Sequence, residues 1–135
     1  MPKAFIDTNI FIYAAGRPSK FQEPCQRLLR QIDSEKITLI TNTEVLQEIL
    51  YSFQKRKQIA TGVEITEKIV ATQIPVFPIQ ARDLRFAARL LSKHPTVSVR
   101  DCIHTATMHF FDIEYIYSYD KDFDLIPGIV RKEPK

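Results

Sequence analysis

Four carboxylates, delivered by four separate segments, define the chemistry open to this chain. Asp7 closes the apolar run AFI, Asp101 opens the stretch RDCIHTATMHFF, and Asp120 follows YIYSY, with Asp122 and Asp124 just behind it. A fourth acid comes from TEVLQEILYSFQKRK, which holds both Glu44 and Glu48. Burying an unpaired carboxylate costs on the order of several kcal/mol, so an acid at the end of a hydrophobic run needs a compensating charge. Clustered carboxylates also repel one another, and protonation or a bound cation relieves the repulsion. An all-oxygen set of this kind suits Mg2+ or Mn2+ rather than Zn2+, which prefers sulfur and imidazole.

The helical wheel separates the two glutamates. At about 100° per residue, Leu46, Ile49 and Phe53 centre the apolar face and Glu44 lies nearly opposite it, whereas Glu48 is turned about 40° toward Val45, where a side chain can lean into a cleft. Thr41 stands three residues before Glu44, the T-x-x-E pattern of a capping box. Glu44 is therefore expected to cap its helix and Glu48 to serve the site. Taken singly, Asp101 and Asp120 have structural uses: Asp101 follows Ser98 by three residues as a capping acid would, and Asp120 suits a turn after a strand. The joint pattern carries more weight than any member.

The elements that must position these acids alternate along the chain. Strands are expected over 3–7, 37–41, 75–79 and 115–120, with a short edge strand over 128–132. Helices are expected over 9–15, ended by Gly16; over 23–33, with Pro24 at the first position; and over 43–57, 63–73, 81–94 and 100–111. Strand and helix in alternation predict an α/β fold, a three-layer α/β/α arrangement with a mainly parallel central sheet. In such sheets ligands bind beyond the carboxyl ends of the strands, the edge to which Asp7, Asp101 and Asp120 belong.

Composition bounds the rest. The chain has 135 residues, 44% of them hydrophobic, which suits one domain over 1–135. Lys and Arg total 19 against 16 acids, a net +3 that leans only weakly toward nucleic acid. Cys25 and Cys102 have no metal-ligand spacing and read as core residues. With no signal peptide or long apolar span, the expected location is cytoplasmic, away from membranes. Lys55, Arg56 and Lys57 end the helix that carries Glu48, and Arg82, Arg85, Arg89 and Arg100 add candidate phosphate contacts, Arg100 foremost because it adjoins Asp101. His104, one turn past Asp101, reads as a hydrogen-bonded histidine on a helix surface, and His109 has no role.

FIDTNIFIY, TNTEVLQEIL, SVRDCIHTATM and YSYDKDFDLI together resemble the PIN-domain ribonucleases, the family that includes the VapC toxins of toxin–antitoxin modules. The resemblance puts the family's acidic quartet on Asp7, Glu48, Asp101 and Asp120, with Asp122 as a possible additional acid. It places Asn9 beside the first acid and Ser118 where the family often has Thr; with Arg100 these are the candidate substrate-side residues. It implies Mg2+ or Mn2+ held mainly by Asp7 and Asp101, endonucleolytic cleavage of single-stranded RNA, an antitoxin partner and a homodimer. Two rivals remain. A haloacid dehalogenase-type phosphatase needs a second acid two residues after the first, where this chain has Asn9. The other is a noncatalytic RNA- or partner-binding module on the same fold, against which the intact quartet argues.

Overall fold

The computed structural model describes residues 2–31 and 36–135. Among the described residues, five strands form one parallel sheet, β1 (Lys3–Ile6), β2 (Thr38–Asn42), β3 (Val76–Phe77), β4 (Tyr115–Tyr117) and β5 (Val130–Lys132), in the order β3-β2-β1-β4-β5. Ala4, Phe5 and Ile6 of β1 are wholly buried, as a central strand covered on both faces requires. The helices described are α1 (Thr8–Ala15), α2 (Gln22–Arg30), α3 (Thr43–Lys55), α4 (Ile59–Ala71), α5 (Ala81–Lys93) and α6 (Val99–Phe110). They pack largely in consecutive pairs, α1 on α2, α3 on α4 and α5 on α6. This is the three-layer α/β/α arrangement expected of the alternating pattern.

Sheet order decides where a site can form. β2 lies on one side of β1 and β4 on the other, with Phe5 paired to Ile40 and to Ile116, so the connections diverge at the carboxyl end of β1. A crevice opens at such a switch point. Asp7 stands there because it ends β1 and caps α1: its backbone is extended (φ −78°, ψ 161°) and its side chain accepts from Thr8 N.

Several boundaries differ from expectation. Pro24 is the third residue of α2 rather than the first, still within the turn whose N–H groups lack helical partners. Residues 32–33, assigned to that helix from sequence, lie outside the described residues. α4 begins at Ile59, earlier than its apolar period announces. β3 shrinks to two residues between Pro75 and Pro78, which remove ladder donors. β4 stops at Tyr117; Ser118–Asp120 turn instead into a 3-10 helix, Lys121–Leu125, capped by the Asp120 side chain.

α6 is heavily enclosed. Its residues 101 to 108 are all buried, and among them are Cys102, Ile103, Ala106 and Met108 of the core. A helix covered this completely holds its side chains in fixed directions, and those of Asp101 and His104 are charged or chargeable.

Candidate metal centre

The acids meet in one cleft of about 690 Å³, lined by Asp7, Thr8, Asn9, Ile12, Glu44, Gln47, Glu48, Ser98, Val99, Arg100, Asp101, Ile103 and Asp120. Asp7 is 4% exposed and heavily bonded. Its Oδ1 accepts from Thr8 N at 2.8 Å, and its Oδ2 from Ser118 Oγ at 2.6 Å and more loosely from Asn9 Nδ2 at 3.4 Å. Ser118 Oγ in turn accepts from Asp120 N at 2.9 Å, and Asn9 Oδ1 accepts from Tyr119 N at 3.4 Å. The turn after β4 is thereby tied to the end of β1.

Asp101 is positioned by the start of α6. Ser98 caps that helix by accepting from Asp101 N at 3.1 Å, while the carboxylate looks into the cleft and its Oδ2 is buried without a hydrogen-bond partner among the described residues. Glu48 arrives from α3, and Thr8 Oγ1 donates to its Oε2 at 2.6 Å. Asp101, Asp120 and Asp122 can bring carboxylate oxygens within 4.8 Å of one another, and Asp7, Glu48 and His104 do the same with their ligand atoms. Asp124, by contrast, is exposed and pairs with Arg131 at 3.1 Å.

So many acids in little water change their own ionisation. Burial raises the Asp7 carboxyl from 3.8 to about 6, against the hydrogen bonds from Ser118 and Thr8, which lower it, and with help from the charge of Asp120. Asp101 is driven far above the carboxylate range, by burial first, then by sharing a proton with Asp120, then by the charges of Asp7, Asp120 and Glu48. In the chain alone a proton stands where a cation would be better placed. The orphaned Asp101 oxygen and the hard carboxylate oxygens gathered around it fit a divalent cation of the Mg2+ or Mn2+ type.

Three expectations are corrected. Thr41 does not cap α3: it is fully buried and donates to Ile6 O at 3.1 Å, while Asn42 takes the cap by accepting from Val45 N at 3.0 Å. Released from capping, Glu44 lines the cleft and pairs with Arg100 at 3.5 Å. Ser118 is wholly buried against Asp7, out of reach of a substrate. His104 is not on a helix surface; it is 0% exposed, with its ring tilted against that of Phe5 at 5.0 Å between centroids.

Among the described residues, Arg100 alone brings a basic side chain to the lining of the cleft, within 3.9 Å of Glu48 and with its guanidinium 5.4 Å from the Tyr51 ring centre. Arg82, Arg85 and Arg89 of α5 do not line it; Arg82 lies over the Phe110 ring. A second groove of about 790 Å³ adjoins the cleft through Ile12 and is lined by Tyr13, Arg17, Ser19, Arg56 and Gln58, among others.

Residues 4–129 match the PIN domain model. The chain belongs to the PIN-domain family. Ribonuclease VapC13 of Mycobacterium tuberculosis is 34% identical over 126 residues, 93% of this chain and 96% of that one. Among solved structures, this PIN domain matches VapC20 of Mycobacterium tuberculosis, titled a sarcin-ricin loop cleaving toxin, with a TM-score of 0.81 at 22% identity over 97% of this chain and 99% of that one. VapBC2 of Rickettsia felis, solved on a DNA fragment from its promoter, matches with a TM-score of 0.75 at 16% identity over 98% and 99%.

Sequence reasoning passed over Thr8 and Asn42. Asn42 was visible, because Asn at a strand-to-helix junction is a preferred cap. Thr8 lay within the FIDTN stretch without an assigned partner, since its bond to Glu48 spans 40 positions.

Proposed function

We propose that this PIN domain is a divalent-metal-dependent endoribonuclease that cleaves single-stranded RNA and acts as the toxin of a toxin–antitoxin pair. The observation that carries the reading is the convergence of Asp7, Glu48, Asp101 and Asp120 on one cleft with a carboxylate oxygen left unpartnered. Asp7 and Asp101 would be the main ligands for Mg2+ or Mn2+, with Glu48 and Asp120 completing the site and Asp122 as an additional acid. When bound, the cation supplies Lewis acidity, lowering the pKa of water and offsetting charge on the nonbridging phosphate oxygens.

The chain's own residues do the remainder. Thr8 fixes Glu48 Oε2 and leaves Oε1, 3.9 Å from Arg100 Nη1, to orient a water or take its proton. Water adds to phosphorus as its proton passes to Glu48, the bond to the 3′ oxygen breaks, and that oxygen takes a proton from solvent, leaving a 5′-phosphate and a 3′-hydroxyl. Ser118 and Asn9 hold the Asp7 carboxylate in one direction and join it to the turn bearing Asp120. Arg100, held between Glu44, Glu48 and Tyr51, presents its charge at the mouth to the phosphate backbone.

The PIN-domain family and the VapC name of its curated relative support the ribonuclease reading. Structural neighbours described as a toxin–antitoxin complex from Klebsiella pneumoniae and as a member of the VapBC family of toxin–antitoxin systems support a VapB-type protein partner. A homodimer and a cytoplasmic location belong to the same reading; no helix among the described residues is long and apolar enough to cross a membrane. The test is cleavage of single-stranded RNA by the purified protein with Mg2+ or Mn2+, together with Asp101→Asn prepared in parallel. Activity that survives both EDTA and Asp101→Asn overturns the proposal.

A further inference from the structure

His104 lies with Asp7 and Glu48 at a spacing that would let all three bind one metal. Its protonation decides whether it can. The ring is wholly buried, with Nδ1 3.2 Å from Asn42 Nδ2 and Nε2 3.6 Å from Asp7 Oδ1, and Nε2 has no hydrogen-bond partner among the described residues.

The orientation of Asn42 is not free. Val45 N must donate at the first turn of α3, so the atom facing it is the amide oxygen, Oδ1, at 3.0 Å. The amide nitrogen therefore faces the other way, donating to Thr107 Oγ1 at 2.9 Å and meeting His104 Nδ1. A nitrogen that faces an N–H donor has to offer a lone pair, so Nδ1 carries no proton. The imidazolium form is excluded by the same contact, since it has a proton on both nitrogens. The one ring proton sits on Nε2, the nitrogen that faces Asp7.

We propose that the cap of α3 sets the tautomer of His104: Nε2 keeps its proton on the side that faces Asp7, and the imidazole is withheld from the metal. The cap of one helix thus keeps the metal centre all-oxygen. This excludes nitrogen coordination by the only histidine near the cleft among the described residues, and it favours hard cations over Zn2+. The inference rests on the reading of Asp7 as a metal ligand.

The direct test is long-range 1H–15N correlation of the imidazole rings in the full chain, metal-free and then with Mg2+ or Zn2+. The chain has three histidines, so His94→Gln and His109→Gln identify their own signals and leave those of His104. The expected result is Nδ1 unprotonated and Nε2 protonated, unchanged by either metal. A proton on Nδ1, or loss of the Nε2 proton on adding Zn2+, overturns the proposal.

Asn42→Asp supplies a second reading, because the introduced carboxylate still accepts from Val45 N but offers His104 an acceptor in place of a donor. The ring should move its proton to Nδ1 and turn a lone pair toward Asp7, raising Zn2+ affinity by about tenfold or more. An unmoved proton in that variant contradicts the proposal. Should the ring show the expected tautomer while RNA cleavage proves independent of metal, the functional reading fails; the wrong tautomer with metal-dependent cleavage intact removes this inference alone.

Discussion

Asp7 and Asp101 keep protons in the folded chain that they would release in the unfolded one, and stability follows from that difference. Burial lifts Asp7 from 3.8 to about 6 and lifts Asp101 further. Above the unfolded value near 3.8 the folded state binds more protons than the unfolded state, so metal-free stability falls as pH rises through both folded values. His104 acts in the opposite sense: burial lowers it from 6.5 to about 4, so its contribution is lost as pH falls through that interval. Above pH 6.5 only the acids remain, and the metal-free protein should melt at steadily lower temperature as pH rises. Thermal melts across that range should flatten in Asp101→Asn and with saturating Mn2+, because each removes the repulsion. Asp7→Asn should abolish cleavage and lose most of the stabilisation by Mn2+, while its metal-free melt lies at or above that of wild type. The two glutamates give a sharper contrast. Glu48→Gln should lose activity by about a hundredfold or more at nearly unchanged melting temperature. Glu44→Gln, which touches Arg100 and not the bonded acids, should remain active within a few-fold by the same single-turnover assay.

At the scale of elements, the close pairing of α3 with α4 holds Glu48 at its height over β1. Gly62 of α4 permits that approach: a Cβ there would lie 2.9 Å from Phe53 Cβ on α3. Gly62→Ala should therefore destabilise by about 1–3 kcal/mol in urea unfolding, despite the better helix propensity of Ala. Much of this architecture was legible in the sequence, because apolar period 3.6 and short β runs mark the elements and because strand ends in α/β sheets gather functional acids. The placement of Glu48 followed from the wheel. The cap did not: T-x-x-E and Asn42 offered competing starts one residue apart, and only tertiary contact, Thr41 bonding β1, decides between them. His104 was misplaced because a periodic helix reads as having a wet face, whereas α6 is covered on nearly all sides from 101 to 108. Ser118 was put on the substrate side by the family resemblance, which carries no direction for the side chain; the turn that begins after Tyr117 points its hydroxyl inward to Asp7.

Over the whole molecule, an acidic centre has to attract a polyanion. Arg100 stands at its mouth, and Arg17, Arg56 and Tyr13 all line the adjoining groove. If RNA follows that groove, Arg17→Ala with Arg56→Ala should raise KM several-fold with kcat little changed, and the salt slope of RNA binding should fall by about 0.7 for each phosphate no longer neutralised. The central claim, that the four acids form a metal-dependent centre for RNA hydrolysis, is met most directly by one measurement. Cleavage of an end-labelled single-stranded RNA is followed for wild type and Asp101→Asn, purified side by side, with Mn2+, with EDTA, and with Mn2+ restored after EDTA. Wild type with Mn2+ should yield cut RNA bearing 5′-phosphates, none with EDTA, and recovery on restoring the ion, while Asp101→Asn should yield none in any condition. Equal cleavage by wild type and Asp101→Asn, or no cleavage of any single-stranded RNA by wild type with Mn2+ bound, would contradict the claim.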